Sequence, residues 1–414
     1  MCIMRRSVKD MNDYALMDQP DRSFCTRWFS PLRPDGIRSC SSALAATALG
    51  AGALAVPYAF SLTGVGLGLV TMTAAALVSA LSLQILMVAA RYTGTNSYAA
   101  LLELAMGSRA ASVILDLTVL LNGIGACTCI LIFEGDFCPP VLASPPGLPG
   151  WTISRSTAIM GAAIAAWPLT LPADISALRY VAVAVPFALL ITIAIVAADA
   201  PGLHSISRAN GDHIAWWDFD LRRWLQAAAI MVNAFANHMN AVPAANQLER
   251  PSIARIVKAT VNANLIVWSL LSCVGIAGYV SFAGATKGDF LLNYPEDRPE
   301  IWICRLMLAL LVYLVLPVSL LPTAMSCAQL AVSALGSGQQ QVDPKIHAVS
   351  ATLLLASCTG IALCVRDVAS VIGVLGGLLA SSIMFWFPAL VFRRLLWPTQ
   401  PYYFRWPVLI AIIM

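Results

Sequence analysis

Charged residues are scarce in this chain. Lys, Arg, Asp and Glu make up 11% of its 414 residues, whereas 59% are apolar and the mean hydropathy is +0.77. A soluble domain carries about 25% charged residues, so the composition excludes a soluble globular protein. The formal net charge of +4 is small and dispersed, and it gives no reason to expect a nucleic-acid partner.

The sequence also lacks the patterns typical of an enzyme or a metal site. It contains no P-loop, no His-x-x-x-His pair and no Gly-x-Ser-x-Gly motif. The eleven cysteines have no paired spacing. The closest two, Cys127 and Cys129, lack the spacing and the nearby histidine of a zinc site. We therefore expect no catalytic residues, no bound metal and no cofactor.

Long apolar runs account for most of the sequence. A helix needs about 20 apolar residues to cross a bilayer. Ten candidate spans lie near residues 40–63, 65–90, 110–133, 156–172, 177–198, 224–247, 256–283, 301–335, 347–365 and 368–392. An eleventh run, at about 406–414, is too short to cross. The sequence thus predicts an all-α polytopic membrane protein, with a polar tail over 1–38, a transmembrane domain over 39–414 and a truncated eleventh helix.

The distribution of Lys and Arg predicts the orientation of this domain. Seven lie in the tail and ten more in loops on the same side of the membrane, against eight on the other side. Cytoplasmic loops are enriched in positive residues, so we expect a cytoplasmic N-terminus. The sequence leaves open whether the membrane is the plasma membrane or a vacuolar or lysosomal-type membrane.

The first apolar run contains a group of helix breakers, Gly50, Gly52 and Pro57. Lipid cannot hydrogen-bond an interrupted backbone, so a break requires surrounding protein or a water-filled cavity. In secondary transporters such breaks bind substrate and ions, and a half-helix that begins after Gly52 would direct free N–H groups at a carboxylate. Close packing of small residues is the alternative. We predict that Thr47, Gly50, Ala51 and Gly52 bind one end of an amino acid.

A second polar interruption lies in the sixth run, before Pro243. Polar amides within a membrane are costly unless they are paired or face a cavity, and interhelical hydrogen bonding is the alternative to a binding site. We predict that Phe235, Asn237, His238 and Asn240 contribute to the substrate site, with Asn237 near the amino group and Phe235 as a lid. Breaks in runs one and six are what a five-plus-five inverted repeat requires.

Two ionisable side chains are candidates for ion coupling. His238 can change charge near neutral pH, although a neutral structural histidine is the alternative. Asp116 is the one carboxylate within the predicted spans, and it could instead reach the interface or pair with Arg109. The remaining candidates are Ser319 and Thr323, whose hydroxyls could face a coupling ion, and Asn122, beside small residues that could wall a binding site.

Several motifs resemble the amino acid/auxin permease family, and the match covers most of residues 39–396. The strongest is Leu49–Phe60, which is similar to the family's Gly-x-Gly-x-Leu-x-x-Pro-x-Ala. Asn237–Ser252 resembles the family's His-Pro…Pro…Glu-Leu-x-x-Pro pattern, and Gly278–Gly284 and Leu291–Tyr294 complete the resemblance.

This resemblance implies the fold of the leucine transporter (LeuT), with helices one to five over about 40–198 and helices six to ten over about 224–392. It also implies secondary transport of amino acids across a membrane by alternating access. A transporter-like amino acid sensor that moves little substrate is the alternative. We expect an amino acid substrate and the lipid bilayer as partners.

Departures from the family pattern bear on the coupling ion. Met239 stands where the family usually has Pro, and Gln247 where it often has Glu. Ala43 and Ala46 occupy positions that are frequently Asn in sodium-coupled relatives. Because two possible side-chain ligands for Na⁺ are missing, the sequence favours symport with H⁺, or uniport, over sodium symport.

Overall fold

Every regular element in the described part of the chain is helical. The computed structural model describes residues 36–49, 51–143, 145, 150–172, 181–209, 213–249, 252–294, 298–334, 343–365 and 367–397. Residues 1–35 of the predicted tail, Gly50 and the predicted eleventh run at 406–414 lie outside these ranges.

The helices follow the predicted runs. In chain order the described residues form α1 Ile37–Ala48, α2 Val56–Thr63, α3 Val65–Thr93, α4 Tyr98–Met106, α5 Arg109–Ala143, α6 Arg155–Thr170, α7 Val181–Ala209, α8 Leu221–Asn233, α9 Ala241–Gln247, α10 Ile253–Phe282, α11 Pro299–Ala334, α12 Pro344–Cys364 and α13 Val368–Leu396. Each of the ten predicted runs coincides with one helix or with a broken pair, and α4 lies between the second and third runs.

Helix length and composition agree with a membrane protein. Seven helices within the described ranges, namely α3, α5, α7, α10, α11, α12 and α13, are long and apolar enough to cross a bilayer, and α1 with α2 forms an eighth candidate bent by 58°. The fourth predicted run is the 16-residue α6. The sixth run is divided into α8 and α9, which are each shorter than a full span.

Polar side chains fix where several helices begin. Each accepts a hydrogen bond from a backbone N–H in the first turn that follows, which satisfies a donor that the helix itself leaves free. These capping residues are Ser97 before α4, Ser154 before α6, Asp220 before α8, Ser252 before α10 and Asp343 before α12.

Described loops lie on two opposite sides of the bundle. On one side Asn246, at the end of α9, donates a hydrogen bond to the carbonyl of Thr95 at 3.0 Å, beside α4. We call this the α4 side. On the other side the backbone N–H of Gly66 donates to the carbonyl of Trp216 at 2.8 Å. The short turns of Ala283–Tyr294 lie on this second side, which we call the 283–294 side.

Helices α5 and α11 pack against each other in antiparallel directions, and we call their contact the α5–α11 seam. The indole of Trp302 donates to the carbonyl of Val141 at 2.8 Å, near the end of α5. Closer to the middle, a Cβ added to Gly123 would lie 1.8 Å from Thr323 Oγ1, so only glycine permits this approach. Helix α5 continues past the predicted end of its run at 133, with prolines in its final turns.

The backbone of α13 comes close to the backbone of α8 at Gly376. The helix widens to π-helical geometry over Leu375–Ala380. A Cβ at Gly376 would lie 1.8 Å from the carbonyl oxygen of Ala229 and 2.9 Å from Cβ of Asn233, whereas one at Gly377 would meet only Cβ of Ala229, at 3.5 Å. The two adjacent glycines therefore differ sharply in the space around them.

We expect Gly376→Ala to destabilise the protein, because the α8 carbonyl must move to accept the methyl group. Overpacking of this kind costs about 1–3 kcal/mol. Gly377→Ala is the matched control, and it should change stability by no more than about 0.5 kcal/mol. Thermal unfolding of the two purified variants in detergent measures the difference. Equal melting temperatures would contradict the close approach of α13 to α8.

Candidate functional site

The two interrupted helices meet at their breaks. Gly52 lies in a 3₁₀ turn over Ala51–Ala55 that separates α1 from α2. A Cβ at Gly52 would lie 3.1 Å from the Cα of Ala234 and 3.3 Å from Nδ2 of Asn233, at the end of α8. The backbone of one break thus touches the backbone of the other. We call this contact the crossing.

The chain between α8 and α9 is unwound, as the polar interruption in the sixth run predicts. The N–H of Phe235 donates to the carbonyl of Val232 at 3.0 Å, and that of Asn237 donates to Phe235 at 2.9 Å. These short-range bonds replace the regular helical bonds to the fourth preceding residue. A 3₁₀ turn over His238–Asn240 then leads into α9.

Asn237 joins the second break to α1 through a hydrogen bond. Its Nδ2 donates to the carbonyl of Leu44 in α1 at 3.0 Å, and the hydroxyl of Thr47 donates to the same carbonyl at 2.9 Å. The Asn237 side chain is only 1% exposed, and its Oδ1 has no hydrogen-bond partner among the described residues. A buried amide oxygen without a donor can accept one from a bound ligand.

His238 contacts α3. The ring is completely buried, and its Nε2 lies 2.7 Å from the hydroxyl of Ser82. That hydroxyl is also 3.1 Å from the carbonyl of Ser79. If Ser82 donates its one proton to this carbonyl, Nε2 of His238 must carry hydrogen and donate to Ser82. Nδ1 then presents a lone pair, and it has no partner within the described part of the chain.

Two other helices border the crossing. Helix α5 contacts the Ala51–Ala55 turn, and Leu375 of α13 covers Gly125 of α5, where a Cβ would lie 2.3 Å from its Cδ2. Gly376 follows Leu375 and faces Asn233, as described above. The crossing is thus enclosed by both breaks, α5 and α13. The approach of α13 is a feature that the sequence reasoning missed, although the Gly376-Gly377 pair was a signal for it.

The predicted substrate-binding residues divide into groups. Thr47, Gly52 and Asn237 lie together through the contacts above, Ala51 begins the turn, and Gly50 lies outside the described residues. Phe235 is 1% exposed beside the crossing. Asn122 is buried on α5 with an Oδ1 that has no partner among the described residues, whereas His238 is directed to Ser82. Asn240 is half-buried in the turn before α9.

The ion-coupling candidates on α5 and α11 lie along the α5–α11 seam. Asp116 is buried, and its Oδ1 accepts a hydrogen bond from the hydroxyl of Ser326 at 3.1 Å. This is a contact with α11, which the sequence did not predict. Thr323 donates to the carbonyl of Ser319 at 3.0 Å, so its oxygen remains free to accept. These residues offer oxygen atoms to a cation or a proton.

A cluster of charged side chains lies on the 283–294 side. Asp289 is 3% exposed, accepts a hydrogen bond from the backbone N–H of Leu291 at 3.1 Å, and has no partner for Oδ2 within the described residues. Arg305 is equally buried and donates to the carbonyl of Tyr294 at 3.0 Å. Burial raises the pKa of Asp289 to about 8. The carboxylate of Asp136 adds to that rise, whereas the N–H of Leu291 and the charge of Arg305 oppose it.

Comparison with known proteins identifies related sequences. A family model described as transmembrane amino acid transporter protein matches residues 33–414. A protein named as an amino acid transporter in Toxoplasma gondii is 30% identical over 302 residues, which cover 72% of this chain and 41% of that protein. A Mus musculus protein named as sodium-coupled neutral amino acid transporter 11 is 25% identical over 324 residues, which cover 77% of this chain and 69% of that protein. The chain thus spans less than half of the Toxoplasma relative.

A solved structure shows the fold. A Na⁺-coupled sialic acid symporter, in a substrate-bound outward-open state, has a TM-score of 0.58 at 13% identity, and the likeness covers 94% of this chain and 86% of the other. At this identity the likeness shows the fold alone. It confirms the LeuT-like fold class predicted from the sequence.

The raised pKa of Asp289 predicts how stability depends on pH. The folded protein keeps the Asp289 proton up to about pH 8, whereas an unfolded chain loses it near pH 4. Between these two pH values the folded state therefore binds more protons than the unfolded chain. The free energy that the Asp289 proton contributes to folding is complete below about pH 4, and it is lost as the pH rises to about 8. We expect Asp289→Asn to remove this slope, so that the variant gains melting temperature relative to the wild type between pH 5 and pH 9.

Asp343→Asn is the matched control. Asp343 accepts the same local hydrogen bond, from the N–H of Lys345 at 2.8 Å, but it is exposed. Thermal unfolding in detergent across this pH range should show a pH-dependent difference for the Asp289 variant alone. A difference that stays constant from pH 5 to pH 9 would rule out a buried proton at Asp289.

Proposed function

The chain belongs to the transmembrane amino acid transporter family, and from this premise we propose that it is a secondary transporter that moves amino acids across a membrane by alternating access. The observation that carries the proposal is the crossing, where Gly52 touches Ala234. Where two breaks meet inside a membrane protein, backbone N–H donors and backbone carbonyl acceptors are exposed close together. The donors can bind the carboxylate of an amino acid zwitterion, and the acceptors can bind its ammonium group.

The substrate carboxylate binds at the break of the first run. The Ala51–Ala55 turn continues directly into α2, so its first N–H groups have no partner within the helix. These groups and the positive end of the helix dipole attract an anion. Gly52 has no side chain to cover them, and Thr47 adds a hydroxyl one turn before. This assignment rests on the helix geometry and on the glycine at the crossing.

The substrate amino group binds at the break of the sixth run. An ammonium group needs acceptors, and Asn237 has an Oδ1 with no partner among the described residues. The Nδ2 of the same side chain is held by Leu44, so the amide is fixed with Oδ1 as its free end. Backbone carbonyls of the unwound segment add further acceptors. Phe235 provides apolar surface beside this site and acts as its lid, and Asn122 and Asn240 complete the polar lining.

Coupling to a proton, or uniport, fits the side chains better than sodium symport. Asp116 and His238 are titratable groups in the transmembrane domain, and Ala43 and Ala46 supply no oxygen ligands. Ser319 and Thr323 are the hydroxyls that a cation could use. Because the mouse relative carries a sodium-coupled name, sodium symport is the second candidate, and the experiment must include it.

Uptake into proteoliposomes tests the proposal. A panel of labelled amino acids is offered with an inward proton gradient, an inward sodium gradient, or neither. We expect substrate-specific accumulation with the proton gradient, or equilibration without accumulation if the protein is a uniporter. Accumulation that requires sodium would replace the proton assignment. Saturable binding with no uptake under any gradient would contradict transport and identify a sensor.

Substitution of Gly52 tests the location of the site. In Gly52→Leu the new Cβ would lie 3.1 Å from the Cα of Ala234, and the rest of the side chain would fill the crossing. We expect uptake to fall to background while the protein still inserts into the membrane and elutes as a single species in detergent. Gly360→Leu on α12 is the control, since no atom lies within 4 Å of its added Cβ. Normal uptake by the Gly52 variant would exclude the crossing as the site.

A further inference from the structure

A second buried carboxyl lies on the α5–α11 seam. Glu134 is 2% exposed. It follows Asp116 by about five turns of α5 and Gly123 by about three turns, so all three lie on one face of the helix. Because Asp116 and Gly123 both contact α11, Glu134 belongs to the face of α5 that packs against α11. The sequence reasoning missed it, since the third run was expected to end at residue 133.

The surroundings of Glu134 provide few polar contacts. Its Oε2 accepts a hydrogen bond from the thiol of Cys138, with Sγ at 3.0 Å. Its Oε1 is buried and has no hydrogen-bond partner among the described residues. None of the ion pairs within the described ranges includes Glu134. The carboxyl is therefore enclosed by protein with one oxygen unsatisfied.

The depth of the two carboxyls along α5 is symmetric. The helix spans the 35 residues Arg109–Ala143, and its midpoint is Ala126. At 1.5 Å per residue, Asp116 lies about 15 Å from that midpoint toward the α4 side, and Glu134 lies about 12 Å toward the 283–294 side. The hydrocarbon core of a bilayer is about 30 Å thick. If the core is centred on that midpoint, the seam carries one carboxyl near each of its boundaries.

An ionised carboxylate is unfavourable in this position. A buried charge without a partner costs several kcal/mol, and ionisable groups within membrane proteins mark ion or proton pathways when they face the bundle interior. A proton removes the charge and gives the unsatisfied oxygen a covalent partner. The ligand that fits Glu134 is therefore a proton, and not a metal ion, for which a single carboxylate offers too few ligands.

We propose that Glu134 binds the coupling proton near the 283–294 side of the seam, with Asp116 as its counterpart near the α4 side. This inference rests on the proposed transport function and adds a residue to it. When this end of the seam is hydrated, Oε1 of Glu134 takes one proton from a hydronium ion, which becomes water. The O–H bond breaks again, and water accepts the proton, when rearrangement of the bundle hydrates the site on release. No redox partner or co-reactant is required.

Separate assays of exchange and coupling test this role. In proteoliposomes, exchange of labelled for unlabelled amino acid at equal pH needs no net proton movement, whereas accumulation against a gradient does. We expect Glu134→Gln to retain exchange within about twofold of the wild type, but to lose proton-driven accumulation and substrate-induced acidification of the lumen. Glu103→Gln is the matched control, because Glu103 is exposed on α4 and accepts a hydrogen bond from Ser112 at 2.8 Å.

Other outcomes would overturn the inference. Proton-driven accumulation by Glu134→Gln equal to that of the wild type would show that Glu134 carries no coupling proton. Loss of exchange together with accumulation would show that Glu134 supports the fold or the substrate site instead. Net uptake by the wild type without substrate-induced acidification of the lumen would leave the transport function standing and reject the proton site.

Infrared spectroscopy gives a readout that does not depend on transport. A protonated carboxylic acid has a C=O stretching band separate from that of a carboxylate. We expect the wild type at neutral pH to show a band component that Glu134→Gln removes and Glu103→Gln keeps, in addition to the component from Asp289, which both variants retain. If the wild type exchanges no amino acid, the proposed function fails, and this band still decides whether Glu134 holds a proton. A wild-type spectrum with no band sensitive to Glu134 would overturn the inference.

Discussion

The constraint on which the rest of the structure depends is that a membrane interior supplies no hydrogen bonds to a broken backbone. The chain meets this constraint by placing its two breaks against each other. Gly52 touches Ala234, and Asn237 in the second break donates a hydrogen bond to the carbonyl of Leu44 in α1. Among the described residues Oδ1 of Asn237 has no partner, and the first N–H groups of a helical segment have no partner within it. Those remaining groups are suited to an amino acid.

Close helix approach keeps this arrangement in place. Gly123 permits the contact with Thr323 that fixes α5 against α11, and Gly376 lets α13 reach the carbonyl of Ala229 beside the crossing. The same tight packing leaves buried carboxyls with little water. Without a cation as partner, a carboxyl in such surroundings is most stable when it is protonated. The proposed proton binding by Asp116 and Glu134 therefore depends on the same packing of α5 against α11.

Much of the fold could be predicted from the sequence, because apolar runs and helix breakers are local signals. The ten runs, the break after Gly52 and the interruption before Pro243 are all visible without tertiary information. Contacts between distant helices are not local, and they were missed: the bond between His238 and Ser82 and that between Asp116 and Ser326 depend on register across the bundle. Glu134 was overlooked because the third run was expected to end at residue 133, whereas α5 continues through Pro139 and Pro140 to Ala143.

The most direct test of the crossing as the binding site is a cryo-electron microscopy structure of the protein with an amino acid that it transports. We predict density for the substrate between the Ala51–Ala55 turn and the unwound segment after α8. Its carboxylate should lie at the free N–H groups of the turn, and its amino group within hydrogen-bond distance of Asn237 Oδ1. Substrate density at another place, with none between the Ala51–Ala55 turn and the unwound segment, would contradict the account.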